Sequence, residues 1–200
     1  GEPVNKCFLI PKTAEDLAAR RGAHRLWADA TFGFMGRSPD HVPGFITGFA
    51  MRPDLFARQG QRFADNVVRY HSWLRDSDLY AAYVIIPPHI DRSRPAHQQE
   101  DPQLYAGVVE ERGDGIVVSG AQMLGTGGAI ANEMFMSCIV PLVAGDENYA
   151  ISIAVPIASP GLRLIVRRPY AEAAPSVFDY PLSARFDEVE SCYLMSGAYD

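Results

Sequence analysis

The apolar positions fall into two textures that meet near Leu79. Before it they recur at helical spacing. Leu17, Ala18, His24, Leu26 and Trp27 follow a Thr13–Asp16 pair that reads as a capping box with Asp in place of the usual Glu. A second helix is expected after Pro43, and a third from about Gln61 to Leu79 with Phe63, Val67, Tyr70 and Leu74 on one stripe. Between the first two lies GFMGRSPDHVPG, whose three Gly and two Pro predict a loop. Beyond Leu79 the pattern becomes short β-branched runs cut by turn residues. LYAGVVEE, GIVVSGAQML, EMFMSCIVPL, YAISIAVPI and LRLIVRR are five candidate strands, with a hairpin signal at Arg112–Gly115. No helix-length segment separates them, which argues against a parallel βαβ sheet. The expected fold is therefore α+β: a helical N-terminal domain over 1–79, then an antiparallel β-barrel or sandwich over 80–200. Asp187, Glu188 and Glu190, alternating with Val189, read as a polar strand face.

Composition narrows the class. With 200 residues, 48% apolar and 21% charged, the chain has the profile of a globular protein with one core and an accessory layer. No apolar run approaches the roughly 20 residues of a membrane span, and the start lacks the order of a signal peptide, so a cytoplasmic protein with no membrane partner is expected. A net charge of -6 and a pI near 5.3 argue against a nucleic-acid surface. Cys7, Cys138 and Cys192 are too few and too scattered for a disulfide framework or a metal knuckle, and no other residue set has metal-ligand spacing. GTGGA at Gly125–Ala129 lacks the Lys-Ser/Thr of a phosphate-binding loop. The first residue is Gly, which suggests a processed or excised piece.

Two constellations carry chemistry. On the Gly-Pro loop, Arg37 and His41 could converge on one anionic or phenolic oxygen, since Arg offers a fixed donor fork and His can donate or accept near neutral pH; the alternative is a loop in which Arg37 pairs with Asp40. The second is Tyr83 with residues 87–102. There Pro87, Pro88 and Pro95 hold the chain extended, and Arg92 and Arg94 place two positive charges where a diphosphate could lie. A solvated linker is the alternative. Thr126 sits in a Gly-rich turn open to close ligand approach, or is simply a turn residue. His71 and His89 read as surface or interdomain residues.

At these same places the sequence resembles a known family. GRSPDHV (36–42), DLYAAYVIIPPHIDRSRP (78–95), GIVVSGAQMLGTGGAIANE (115–133) and YPLSARFDE (180–188) are similar, in order, to the oxygenase component of 4-hydroxyphenylacetate 3-monooxygenase. The resemblance implies an acyl-CoA-dehydrogenase-like fold with a helical N-terminal domain, a middle β-barrel and a C-terminal helical bundle through which subunits form a homodimer or homotetramer. The chain ends about where the bundle would begin, and its tail SCYLMSGAYD departs from the family pattern. The implied reaction is ortho-hydroxylation of a phenol using O2 and FADH2, supplied by a separate NAD(P)H-flavin reductase, through a flavin C4a-hydroperoxide. Arg37 matches the family's substrate-contacting Arg. His41 falls where the family commonly has Tyr, and Tyr83 where it commonly has His. Those three would be catalytic, and Ser137 and Cys138 would touch substrate on a strand-loop. For the flavin, the resemblance implies His89, Ile90, Asp91 and Arg92, then Pro95, Ala96, His97 and Gln98, with Thr126 near the ring and Leu124 in place of a Thr. Competing implications are a non-catalytic flavin-binding or interaction remnant, and a 4-hydroxybutyryl-CoA dehydratase-like enzyme, against which stands the lack of paired Cys near Arg37.

Overall fold

The computed structural model describes residues 3–88 and 90–199. Contacts divide the chain into two compact units. One runs up to Tyr80 and takes in Ala173–Asp187; the other comprises Ala81–Glu172 and the segment from Glu188 onward.

The first unit is helical: α1 (Ala14–Thr31), α2 (His41–Ala50), α3 (Pro53–Ala57), α4 (Gln61–Asp76) and α5 (Pro181–Phe186). The Thr13–Asp16 capping box forms as read. Thr13 Oγ1 accepts from the Asp16 N–H at 3.1 Å, and the Asp16 carboxylate accepts from the N–H of Thr13 at 3.0 Å and of Lys12 at 2.9 Å. These bonds satisfy donors that a helix start leaves orphaned. The stripe expected on α1 is not buried, for Leu17 and Leu26 are exposed. The core of this unit instead joins Val42, Ile46 and Thr47 of α2 to Ala64, His71 and Leu74 of α4, with Cys7 and Phe8 from a short 3-10 turn. On α4 the buried stripe is thus offset from the one read, and Phe63 lies outward under the Arg62 guanidinium, 4.7 Å from the ring centre. His71 is buried rather than superficial. Its Nε2 donates to the Phe8 carbonyl at 3.1 Å, a bond that satisfies the ring in an apolar setting.

The second unit holds β1 (Ala81–Val84), β2 (Gly107–Glu111), β3 (Ile116–Gln122), β4 (Glu133–Met136), β5 (Ile153–Pro156), β6 (Leu162–Val166) and β7 (Ser191–Tyr199). The expected antiparallel barrel does not close. The strands form a three-stranded sheet ordered β1-β4-β5 and a four-stranded one ordered β2-β3-β7-β6. Between the two sheets the described residues give a one-residue bridge, Ile86 to Met123, where a barrel needs a continuous ladder. The pairing of β1 with β4 is parallel, with Tyr83 opposite Phe135. Parallel pairing needs a long crossover, and the stretch containing the β2–β3 hairpin provides it.

Period-two alternation sorts the faces. Met134 and Met136 enter a core with Val84, Val118, Val155, Tyr193 and Met195, which leaves Glu133 and Phe135 on the opposite face of β4. The tail from Ser191 to Tyr199 forms β7, paired on both sides by β3 and β6. The polar strand face expected at 187–190 does not form. Asp187 closes α5, Val189 takes a positive φ of 37°, and the strand starts at Ser191. The Tyr193 ring, fully buried, packs into the 125–128 turn, where a Cβ on Gly125 or Gly128 would overlap it. These glycines therefore make room for a core tyrosine.

Two expectations follow. Gly125→Ala should lower stability by about 1–3 kcal/mol through overpacking against Tyr193, read as a shift of the denaturation midpoint; an unchanged midpoint would remove the steric account. Glu133, 3% exposed, has its carboxyl pushed by burial from 4.5 to about 7. With the folded value above the unfolded one, its contribution is intact below pH 4.5 and is lost as pH rises to about 7. Relative to the parent, Glu133→Gln should thus gain on the order of 2–3 kcal/mol between about pH 4 and about pH 8. Parallel stability curves for the two proteins would contradict this.

Candidate functional site

The loop before α2 is fixed by Asp40, which is 6% exposed. Its carboxylate takes the Ser38 hydroxyl and His24 Nδ1. Asp40 is thereby occupied by partners other than Arg37. Arg37 Nη1 instead donates to His41 Nε2 at 2.9 Å, and the Arg37 carbonyl accepts from the Tyr80 hydroxyl at 3.3 Å. A guanidinium has no acceptor, so His41 Nε2 must carry a lone pair and the ring proton sits on Nδ1. Burial lowers the His41 pKa, the Arg37 charge lowers it further, and Asp40 opposes both. The imidazole is therefore held neutral. His41 is the first residue of α2 rather than a loop residue, and Phe45 meets its ring edge-on at 5.8 Å.

In the β unit, Tyr83 and Ser137 come together as a consequence of the parallel β1–β4 register. Their hydroxyls lie 2.9 Å apart, and Ser137 N–H extends the ladder to the Val84 carbonyl at 3.2 Å. Ser137 and Cys138 both line a cavity of about 240 Å³, just under the roughly 300–1,000 Å³ common for small-molecule pockets. Burial raises the Cys138 thiol pKa, which keeps it protonated.

The 90–98 segment is divided by this cavity. Arg92, Pro95 and Ala96 line it, and Arg94 does so too. Asp91 accepts from the Ser93 N–H and hydroxyl at 2.9 and 2.6 Å and pairs with Arg94 at 3.2 Å. His97 is spent on Asp146, which takes both its backbone N–H and its Nδ1 at 2.8 Å, while Gln98 Nε2 contacts His97 Nε2 at 3.1 Å. Ile90 is exposed, and His89 lies outside the described residues. Leu124 and Thr126 are outside the cavity wall. Leu124 has a φ of 62°, and the Thr126 hydroxyl donates to Glu190 Oε1 at 2.6 Å.

Gln122, Asp146 and Tyr105 are among the residues lining the cavity that escaped the sequence reading. Gln122 donates from Nε2 to the Ser137 carbonyl at 3.2 Å, while its buried Oε1 has no partner among the described residues. Asp146, 1% exposed, also accepts from the Val143 N–H at 3.0 Å. Tyr105 stands edge-on to Tyr149 at 6.4 Å. The only local signal for Gln122 is one amide inside an apolar run.

Residues 1–196 match the family model described as 4-hydroxyphenylacetate 3-hydroxylase N terminal. The 4-hydroxyphenylacetate 3-monooxygenase oxygenase component of Thermus thermophilus is 41% identical over 190 residues, covering 95% of this chain and 38% of that protein. The pyoverdin chromophore biosynthetic protein PvcC of Pseudomonas aeruginosa is 37% identical, covering 99% of this chain and 39% of its own. A crystal structure of the oxygenase component of 4-hydroxyphenylacetate 3-monooxygenase complexed with FAD and 4-hydroxyphenylacetate superposes with a TM-score of 0.89 at 38% identity, covering 99% of this chain and 40% of that one. The chain thus spans 38–40% of the length of these relatives. With the family model matched over nearly its whole sequence, the chain belongs to the 4-hydroxyphenylacetate 3-hydroxylase N-terminal family.

Proposed function

We propose that the chain is part of the oxygenase component of a two-component, reduced-flavin-dependent monooxygenase that hydroxylates a phenol ortho to its hydroxyl, with FADH2 delivered by a separate NAD(P)H-flavin reductase. Residues 1–79 are read as its helical domain and 80–200 as its β domain, save that Ala173–Asp187 groups with the helical unit. The observation that carries the reading is the shared cavity wall: Ser137 and Cys138, assigned to substrate by resemblance, line the same space as Arg92, Pro95 and Ala96, assigned to the flavin.

The residues present fit a flavin in chemical kind. Apolar walls from Pro87, Met136, Val140 and Ile151 suit a flat ring system, Arg92 and Arg94 suit phosphate oxygens, and Gln122 Oε1, without a partner among the described residues, can accept from a ring N–H. When bound, reduced flavin supplies the activation of O2 to a transferable oxygen.

The protein's own part is positioning and charge. In the helical unit, Arg37 stabilises the phenolate form of the substrate through a charge-assisted hydrogen bond, which makes the ring more electron-rich. His41 orients that guanidinium through its Nε2. As a proton acceptor from the phenol it must first release the Arg37 N–H, so its first duty is to hold Arg37 in place. In the β unit, Tyr83 and Ser137 hold each other's hydroxyls in place, and the apolar walls exclude water.

With reduced FAD, O2 and 4-hydroxyphenylacetate, the chain should form the ortho-diphenol, and Arg37→Ala should slow product formation by about 100-fold, the scale of losing one charge-stabilising donor. Product formed at the parent rate by Arg37→Ala would overturn the assignment of Arg37. A folded parent chain that yields no diphenol would overturn the reading itself.

A further inference from the structure

The cavity in the β unit has most of its polar groups already spent. Arg94 is paired with Asp91, Asp146 is taken by His97 and Val143, the Gln122 amide donates to Ser137, and Ser137 Oγ is bonded to Tyr83. Two donor side chains of its wall have no hydrogen-bond or ion-pair partner at all among the described residues. The Tyr105 hydroxyl makes no hydrogen bond among the described residues, and the Arg92 guanidinium has neither an ion pair nor a hydrogen bond among them. Both residues line the same space, and the Arg92 charge acts on the Tyr105 phenol.

Tyr105 is also prepared for a fixed role. Its backbone is held by a bridge to Ala121, and its ring stands against Tyr149, whose own hydroxyl is spent on the Pro102 carbonyl at 2.8 Å. Burial raises its pKa first of all, with Asp91, Asp146 and Cys138 adding to the rise and Arg92 opposing it. The hydroxyl therefore keeps its proton at neutral pH and stays a donor. Two unspent donors, one of them cationic, in a cavity wall that is otherwise largely apolar suit an anionic oxygen carried on an apolar body.

We infer that Tyr105 and Arg92 together read an anionic oxygen of the ligand that enters this cavity, with Tyr105 as the specificity-determining residue. The anion has two sources under the proposed function, on which the inference rests: a flavin phosphate, or a carboxylate on the phenolic substrate. The chemistry is shared, and paired probes separate the sources.

The test measures anaerobic equilibrium binding to the 200-residue chain of two ligand pairs differing in the anion, reduced FMN against reduced riboflavin and 4-hydroxyphenylacetate against 4-ethylphenol. In one pair the anionic member should bind about tenfold or more tightly, the scale of a charge-assisted hydrogen bond. Tyr105→Phe, which keeps the ring and its packing, should erase most of that preference and leave the neutral member unchanged; Arg92→Gln should do the same. A preference within the flavin pair identifies the phosphate, and one within the phenol pair the carboxylate. The inference falls if neither pair is discriminated, if Tyr105→Phe weakens both members of a pair equally, or if nothing binds. Failure of both flavins to bind while 4-hydroxyphenylacetate is still preferred would overturn the flavin reading and leave the Tyr105 assignment standing.

Discussion

The β unit depends on the insertion of β7 between β3 and β6. Without it β2–β3 would be an isolated hairpin, a structure marginal in water, and β6 would have no neighbour. Its Tyr193 is fully buried in the core, and a full-sized ring at that place dictates the residues around it. Gly125 and Gly128 must be glycine because the ring occupies their Cβ positions. The turn is then tied to the segment entering β7, through Gly125 N–H to the Ser191 carbonyl at 2.9 Å and Gly127 N–H to Glu188 at 2.9 Å. Thr126 is presented from this clamped turn, with its hydroxyl held by Glu190. A packing requirement in the core thus fixes the backbone of a turn that resemblance assigns to the flavin.

The second constraint is the parallel register of β1 and β4. Placing Tyr83 opposite Phe135 brings the Tyr83 hydroxyl to that of Ser137, just beyond the strand end. Ser137 in turn gives its carbonyl to Gln122 at the end of β3. The cavity wall is therefore assembled from strand ends and the segments leaving them, with paired strands behind it. In the helical unit the same economy appears at Asp40. One buried carboxylate gathers Ser38 and His24, and the adjoining Arg37 and His41 bond to each other.

Local rules were legible in the sequence and long-range pairings were not. The α1 start was readable because a capping box is contained within four residues. Parts of all five candidate strands were readable because β-branched runs bounded by turns are local signals. β7 escaped because SCYLMSGAYD interrupts its buried Tyr193, Met195 and Tyr199 with small residues, so the alternation is faint. The parallel β1–β4 pair escaped because register between distant segments leaves no mark in either one. His71 was misread for the same reason: its partner, the Phe8 carbonyl, lies 63 residues away. At the site, resemblance named both Tyr83 and Ser137 without naming their contact. Tyr105, Gln122 and Asp146 carried no motif, and only the cavity they line brings them into view.

The central claim is that this chain holds a reduced flavin through its β unit. The most direct measurement is an anaerobic titration of the 200-residue chain with FADH2, following flavin absorbance and fluorescence, alongside circular dichroism to establish that the protein is folded. The account predicts saturable binding with one flavin per chain. A folded chain that leaves the flavin spectrum unchanged at every concentration would contradict it.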